Sequence, residues 1–351
     1  MDEFLDSVIM KKVKFGLVGV GVGGEYVIKA SKLIEDHLKI EAVASSHLER
    51  AKSFAEKWSI PAYYTDYKAM FREAGIDAAI ICTPHYLHHP MALDAIAESL
   101  HVLVDKPMAI SVEECDDMIK RAEAKNVKLG VIFQSRFNPD VNKVRDALES
   151  GKLGRPLLGI AEVLWNRTQE YYDKSPWRGR WATEGGGVLI NQAIHQIDLL
   201  LYIMGPVDSL WAYGGTFTHN IEVEDLVVAG LKFRSGALGA IIGTTSIYPG
   251  LPTRLSICGD LGSAILEGDV LQLMELKSGE KYEKKREIES ASWIRPEAAP
   301  PTNHAELLKD FSTAIIEDRS PKVDGYEGKR SIEVIRGIYK SFTEGCPVKV
   351  V

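Results

Sequence analysis

Between Val13 and Gly24 the chain reads VKFGLVGVGVGG. An apolar, strand-like run, Val13–Val18, passes directly into Gly19-x-Gly21-x-x-Gly24, and a helical pattern over Glu25–Leu38 follows at once. A buried strand that must turn within a few residues into a helix leaves few folds open, and the first half of a βαβ unit is the main one. In that unit Gly19 permits the tight turn, Gly21 leaves room for a pyrophosphate, and Gly24 lets the helix pack close to the strand. Val22 and Gly23 lie at the helix N-terminus, whose unpaired N–H groups suit phosphate oxygens. The alternative is a plain glycine-rich turn.

The same alternation continues. Strand-like runs Ile40–Ala44, Ala78–Cys82, His101–Val104 and Lys128–Phe133 are separated by amphipathic patterns at Leu48–Trp58, Tyr67–Ala74, His89–Ser99 and Val112–Lys125. Near-continuous apolar strands between helices imply a parallel sheet covered on both faces, a doubly wound Rossmann domain over residues 11–134. After a helix at Asn138–Ser150 the pattern changes. Longer strand-like runs, Leu157–Trp165, Ser209–Thr218, Leu226–Phe233, Ala237–Thr245 and Arg254–Cys258, are punctuated by turns such as Arg234-Ser235-Gly236. The expectation for residues 135–351 is an α/β domain built on a large, mostly antiparallel open sheet, with one helix, Val188–Met204, across it. Pro296–Pro301 reads as a linker. Two closing helices, Ala305–Ile316 and Lys329–Thr343, are expected to pack back on the body. Leu226–Phe233 and Ala237–Thr245 are apolar at nearly every position, so the open sheet face is expected to meet another subunit, giving a homodimer or homotetramer.

The net charge of −7 has its cations dispersed among acids, which argues against a nucleic-acid or anionic-membrane partner. No stretch has the ~20 consecutive apolar residues a transmembrane helix needs. The start, MDEFLDSVIM, is acidic and lacks the basic first segment of a signal peptide. Cys82, Cys115, Cys258 and Cys346 have no paired spacing, so reduced thiols and a cytoplasmic location are expected.

Two further segments can carry chemistry. Asp105-Lys106-Pro107 directly follows the run His101–Val104. Ligands of doubly wound sheets bind beyond the carboxyl ends of the strands, so Lys106 is placed to face a cofactor, or else is a surface lysine at a strand end. The second segment begins Gly185-Gly186-Gly187 and carries Asn191, His195 and Asp198 at i, i+4 and i+7, on one face of a helix. An amide, an imidazole and a carboxylate beside three glycines suit a substrate pocket. The alternative is a hydrogen-bonded histidine on an ordinary helix. His85, His88, His89 and Cys82 match no common zinc spacing, and no metal is expected.

Taken together these segments resemble the Gfo/Idh/MocA oxidoreductases, the glucose–fructose oxidoreductase and inositol dehydrogenase type, over almost the whole chain. Cys82-Thr83-Pro84-His85-Tyr86-Leu87-His88 is similar to the family's T-P-x-x-x-H loop, Asp105-Lys106-Pro107 to its E-K-P, and Gly186–Asp198 to its G-G-x-x-x-D-x-x-x-H-x-x-D helix. Gly325-Tyr326-Glu327-Gly328 looks like the family's tail. The resemblance implies an enzyme that transfers hydride between NAD(P) and a secondary alcohol or ketone of a sugar, cyclitol or sugar derivative. It implies Lys106 and His195 as catalytic residues, with Thr83, Pro84, His88, Lys106 and Pro107 lining the cofactor, and a cis Lys106–Pro107 bond. Nucleotide-sugar 3-dehydrogenase, trans-dihydrodiol dehydrogenase and a non-catalytic NAD(P) sensor stand as alternatives. Asn191 departs from the family's Asp: an amide can position a hydroxyl but cannot act as a base. Where a carboxylate would read the ribose 2′-hydroxyl, the chain has Ser45 and Ser46 with Arg50 downstream, which leans towards NADP over NAD. Arg136, Asn166, Tyr172, Trp177 and Arg178, with Tyr171, are candidate sugar contacts, or ordinary inter-domain packing.

Overall fold

The computed structural model describes residues 12–283 and 300–350. The first eleven residues, and positions 296–299 of the expected linker, lie outside them.

Six parallel strands form the first sheet: β1 Val13–Val18, β2 Leu38–Ala44, β3 Ala62–Tyr64, β4 Ala78–Ile81, β5 His101–Val104 and β6 Leu129–Val131. Their order is β3-β2-β1-β4-β5-β6, so the chain direction across the sheet reverses between β1 and β4. That reversal opens a crevice at the carboxyl ends of the strands. Helices α1 Val22–Ser31, α2 Leu48–Trp58, α3 Tyr67–Glu73, α4 His88–Ala97 and α5 Val112–Ala124 cover the two faces. Several start where the sequence supplies a cap. Asp66 accepts from the Lys68 amide at 2.9 Å, and Ser111 accepts from the Glu114 amide at 3.2 Å. The first helix is shorter than expected and ends at Ser31. Strand β3, only three residues long, carries no readable alternation.

The chain leaves β6 through a 3₁₀ turn, Gln134–Phe137, and a capped helix α6, Pro139–Glu149. Nine strands then build the second sheet: β7 Pro156–Leu164, β8 Val207–Gly215, β9 Leu226–Phe233, β10 Leu238–Thr244, β11 Arg254–Gly259, β12 Gly262–Glu267, β13 Val270–Leu276, β14 Lys281–Glu283 and β15 Val348–Lys349. The order is β14-β13-β12-β11-β7-β10-β9-β8-β15. Only the β7–β10 pair is parallel. The expected single helix over Val188–Met204 is two helices, separated at Gln192 and Ala193: α8 Val188–Asn191 and α9 Ile194–Met204 (a short helix, α7 Gln169–Asp173, precedes them). α9 lies on β7, where Gly159 leaves space for Leu200 and Met204.

Burial alternates along β9 and β10 although hydropathy does not. The inner face packs on α8 and α9. The outer face is left open with Val228 46%, Leu238 59% and Tyr213 of β8 66% exposed. The closing helices are α10 Thr302–Ile316 and α11 Gly325–Glu344. α10 joins the first domain's core, with the Phe311 ring 6.3 Å from that of Phe15. α11 runs between α5, β6, α9 and β8.

One ion cluster ties these pieces together. Arg136, 1% exposed, gives Nε and Nη2 to Asp198 of α9 at 2.9 and 2.7 Å, and Nη1 to Glu327 of α11 at 2.6 Å. Removing one partner of a buried pair leaves the other charge uncompensated, which costs about 3–5 kcal/mol. Asp198→Ala should therefore lower the urea-unfolding free energy by about that much, and Glu327→Ala, at a partly exposed position, by less. Equal and negligible losses at both sites would show that the cluster is not a structural tie.

Candidate active site

The glycine turn fits a pyrophosphate. Gly19 has φ +99°, and a side chain there would strike the Cys82 carbonyl. At Gly21 the opposite holds: a Cβ would meet nothing within 4 Å, so the space beyond it is open. Gly21 caps α1 without a side-chain hydrogen bond, which leaves the first-turn N–H groups of Val22 and Gly23 available. Gly23 sits beside the Asp105 carboxylate, and Gly24 packs on the Gly19 carbonyl. Thr83 Oγ1 is buried in the adjoining loop without a partner. Past β2, Ser45 is half-buried, while Ser46 and Arg50 are exposed, Arg50 in no ion pair with a described residue.

Lys106 stands beyond β5. Its amide donates to Asp105 Oδ1 at 2.8 Å, and the bond to Pro107 is cis, as the resemblance implies. The Lys106 ammonium donates to the Asn191 main-chain carbonyl at 2.7 Å. The helix break makes this possible: α8 ends at Asn191, and its last carbonyl turns to the lysine. Burial pulls the Lys106 pKa down, and the charges of Asp105 and Glu184 oppose the fall. His195 opens α9 with its Nδ1 buried and unpartnered among the described residues and its ring edge-on to Phe133, centroids 6.0 Å apart. Burial, Lys106 and His304 hold its pKa well below the usual histidine value, so it is neutral at physiological pH. His304, from α10, stacks on Tyr26 of α1 with centroids 5.1 Å apart.

Two buried carboxylates hold the triple-glycine loop. Glu224 accepts from the Gly187 and Leu189 amides at 2.8 and 3.0 Å and from the Tyr339 hydroxyl at 3.0 Å. Glu184 accepts from the Gly179 amide and from Asn191 Nδ2, each at 2.5 Å. Burial pushes both carboxyl pKa values up to about 7. The Arg178 guanidinium lies 4.4 Å from the Tyr171 ring and 5.0 Å from that of Trp177, with its Nε buried and unpartnered. Trp177 packs against His85, centroids 4.8 Å apart.

The structure thus gathers Lys106, Asn191, His195, Trp177 and Arg178, with Tyr171. It places other expected residues differently. Arg136 is a correction: it is 1% exposed, and each of its three nitrogens donates to Asp198 or Glu327 inside the protein, so it is turned to an internal ion cluster and not to the cleft. Asp198 accordingly faces Arg136, not the pocket. His88 is a second correction. It is fully buried, with Nδ1 on the Pro107 carbonyl at 2.7 Å and Nε2 on that of Thr83 at 2.8 Å, so it ties the two loops together and lines no cofactor surface. Tyr172 is buried with its hydroxyl 2.9 Å from Thr245 Oγ1. Asn166 bridges to Ser246 through its backbone at the end of β7. Glu184, Glu224 and His304 were not anticipated. The signal for Glu184 was its position directly before the glycines.

Comparison with known proteins agrees with this fold. Residues 13–133 match the family described as an oxidoreductase family with an NAD-binding Rossmann fold, and residues 141–265 match the GFO/IDH/MocA C-terminal domain. The chain is 24% identical to myo-inositol 2-dehydrogenase of Thermotoga maritima, over 96% of this chain and 98% of the relative. It is 28% identical to mouse trans-1,2-dihydrobenzene-1,2-diol dehydrogenase over 73% of this chain and 74% of the relative. Among solved structures, the WlbA dehydrogenase of Bordetella pertussis, in complex with NADH and UDP-GlcNAcA, superposes with a TM-score of 0.87 at 29% identity, covering 98% of this chain and 99% of that one.

Proposed function

The chain belongs to the Gfo/Idh/MocA oxidoreductase family, and we propose that His195 and Lys106 carry its chemistry on a secondary alcohol of a sugar derivative. The observation that supports this most is the pairing of a partly buried ammonium held on the Asn191 carbonyl with a neutral imidazole whose Nδ1 has no partner among the described residues. When bound, the nicotinamide supplies the acceptor or donor of hydride. His195 takes the hydroxyl proton on Nδ1; its depressed pKa keeps it unprotonated and ready. Lys106 donates to the same oxygen and stabilises the developing alkoxide. Asn191 positions a neighbouring hydroxyl. In the reductive direction the same groups act in reverse, and a histidinium in this site gives up its proton readily.

The substrate side of the cleft favours an anionic, nucleotide-linked sugar over a plain cyclitol. Arg167 and Arg178 both lie against a single ring, Tyr171, at 5.5 and 4.4 Å from its centroid. That combination of cations and rings suits a sugar acid or a diphosphate, as in the nucleotide-sugar complex of WlbA. The four cysteines are free thiols, which supports a cytoplasmic location, and no described helix is long and apolar enough to cross a membrane. We also propose a symmetric dimer through the outer sheet face, able to stack into a tetramer, because Tyr213, Val228 and Ile242 form one cross-strand row there.

Turnover should be assayed with UDP-GlcNAcA, myo-inositol and benzene dihydrodiol, each with NAD and NADP. His195→Ala and Lys106→Ala should each lower kcat by about 10²–10⁴-fold while NAD(P)H still binds, because the glycine turn lies elsewhere. Near-full turnover in His195→Ala would remove the assignment, and tight NADPH binding with no turnover on any substrate would favour a sensor. The 2′-phosphate preference rests on Ser45 and the unpaired Arg50. Ser45→Asp should shift discrimination towards NAD, and unchanged discrimination would show that this loop does not read the ribose. Light scattering at micromolar concentration should give at least two chains per particle; a single-chain mass would contradict the sheet-face dimer.

A further inference from the structure

Asn191 stands where a carboxylate would be expected, and the structure supplies a carboxylate directly behind it. We propose that Glu184 is a positioning residue that fixes which end of the Asn191 amide faces the substrate, and that this orientation reverses when Glu184 takes up a proton. The inference rests on the reading of the cleft as the substrate site.

The argument is one of donors and acceptors. An ionised carboxylate only accepts. Glu184 is 1% exposed, with one oxygen on the Gly179 amide and the other on Asn191 Nδ2. The Asn191 amide must therefore turn its nitrogen inward, and its second N–H reaches towards the Tyr171 hydroxyl, 3.5 Å away. No described residue donates to Asn191 Oδ1, while the main-chain carbonyl of the same residue holds Lys106. The free acceptor of Asn191 is thus left for a substrate hydroxyl, next to the ammonium that meets the reacting oxygen. A protonated Glu184 can donate to Oδ1 instead. The amide then gains by turning over, and the cleft meets an NH₂ group where it had a carbonyl.

The groups around Glu184 bring this reversal into the working pH range. Burial raises its pKa to about 7, against the Gly179 and Asn191 hydrogen bonds and the positive charges of Arg178 and Lys106. Tyr172 and Tyr339 also feel its charge and are neutral at these pH values. His85, whose Nδ1 is 2.8 Å from the Glu184 carbonyl, is held neutral by burial.

The first test needs no substrate. In the full-length protein with NADH bound and asparagine labelled with ¹⁵N, the Asn191 side-chain amide resonance, assigned by its loss in Asn191→Asp, should titrate with a midpoint near pH 7. Glu184→Gln should remove the titration, and a wild-type resonance that does not move across about pH 5.5–8.5 overturns the proposal. The second test uses whichever substrate of the panel turns over. Glu184→Gln should raise KM about ten-fold, the worth of one hydrogen bond to a charged or buried group, with kcat within about three-fold, and should abolish the acidic limb of kcat/KM. The swapped pair Glu184→Gln with Asn191→Asp, which keeps an amide against a carboxylate, should recover KM relative to either single change. A Glu184→Gln enzyme with wild-type KM and an unchanged acidic limb overturns the proposal. Absence of turnover across the panel would count against the catalytic reading instead, and leaves the resonance titration to decide this one.

Discussion

A guanidinium shut away from water must find its counter-charges inside the protein, and Arg136 finds them on two segments far along the chain. Asp198 takes two of its nitrogens and Glu327 the third. Arg136 sits just past the last strand of the dinucleotide sheet, Asp198 one turn past His195, and Glu327 in the first turn of the last long helix. The pairing therefore sets the register between β5 and β6, which carry Lys106 nearby, and the helix that carries His195. Small displacements would matter to the pair proposed to react, because reactivity falls steeply with ångström-scale misplacement. Tyr202, with its ring 4.8 Å from the guanidinium, closes the remaining face.

Inside the cleft the charges adjust one another. Lys106 draws support from Asp105 and Glu184 while depressing the affinity of His195 for a proton. His304, brought in from α10 and itself held neutral by burial with a pKa near 4, adds to that depression. Burial thus lowers the proton affinity of both groups, and the carboxylates oppose the fall at Lys106 while Lys106 and His304 deepen it at His195. The two glutamates about the glycine loop do different work. Glu224 caps the start of α8, and Glu184 meets the side chain at its end.

Much of this was legible in the residues. The glycine turn, the alternation up to Phe133 and the lysine after β5 are local patterns, and each falls where the pattern puts it, whereas the helix expected to carry Asn191, His195 and Asp198 on one face is broken after Asn191. What was not legible depends on partners distant in sequence. The stretch Asn191-Gln192-Ala193-Ile194-His195 contains no glycine or proline, yet the helix breaks there, where Lys106 takes one of its carbonyls and Glu184 its side-chain amide. Arg136 and Asp198 each looked like pocket residues, and only their meeting in space shows that they neutralise each other. His88 fitted a cofactor loop by motif but is consumed by two carbonyls. Strands β14 and β15 escaped notice because edge strands of two or three residues lack the length over which alternation becomes a pattern.

The position of α10 has a consequence for how the protein is made. Its residues Ala305, Leu307, Leu308 and Phe311 lie among Phe15, Leu17, Ile28 and Val43 in the core on one face of the first sheet. Chains generally fold domain by domain as they emerge, N-terminal part first. Here the dinucleotide domain leaves the ribosome with that face of its core unfilled, and it stays so while strands β7 to β14 of the second sheet are synthesised. A nascent or truncated chain that stops before α10 exposes apolar surface from the very strands that shape the cofactor crevice. Completion of the first domain is thereby coupled to arrival of nearly the last helix, and a prematurely ended chain is a ready substrate for chaperones and proteases.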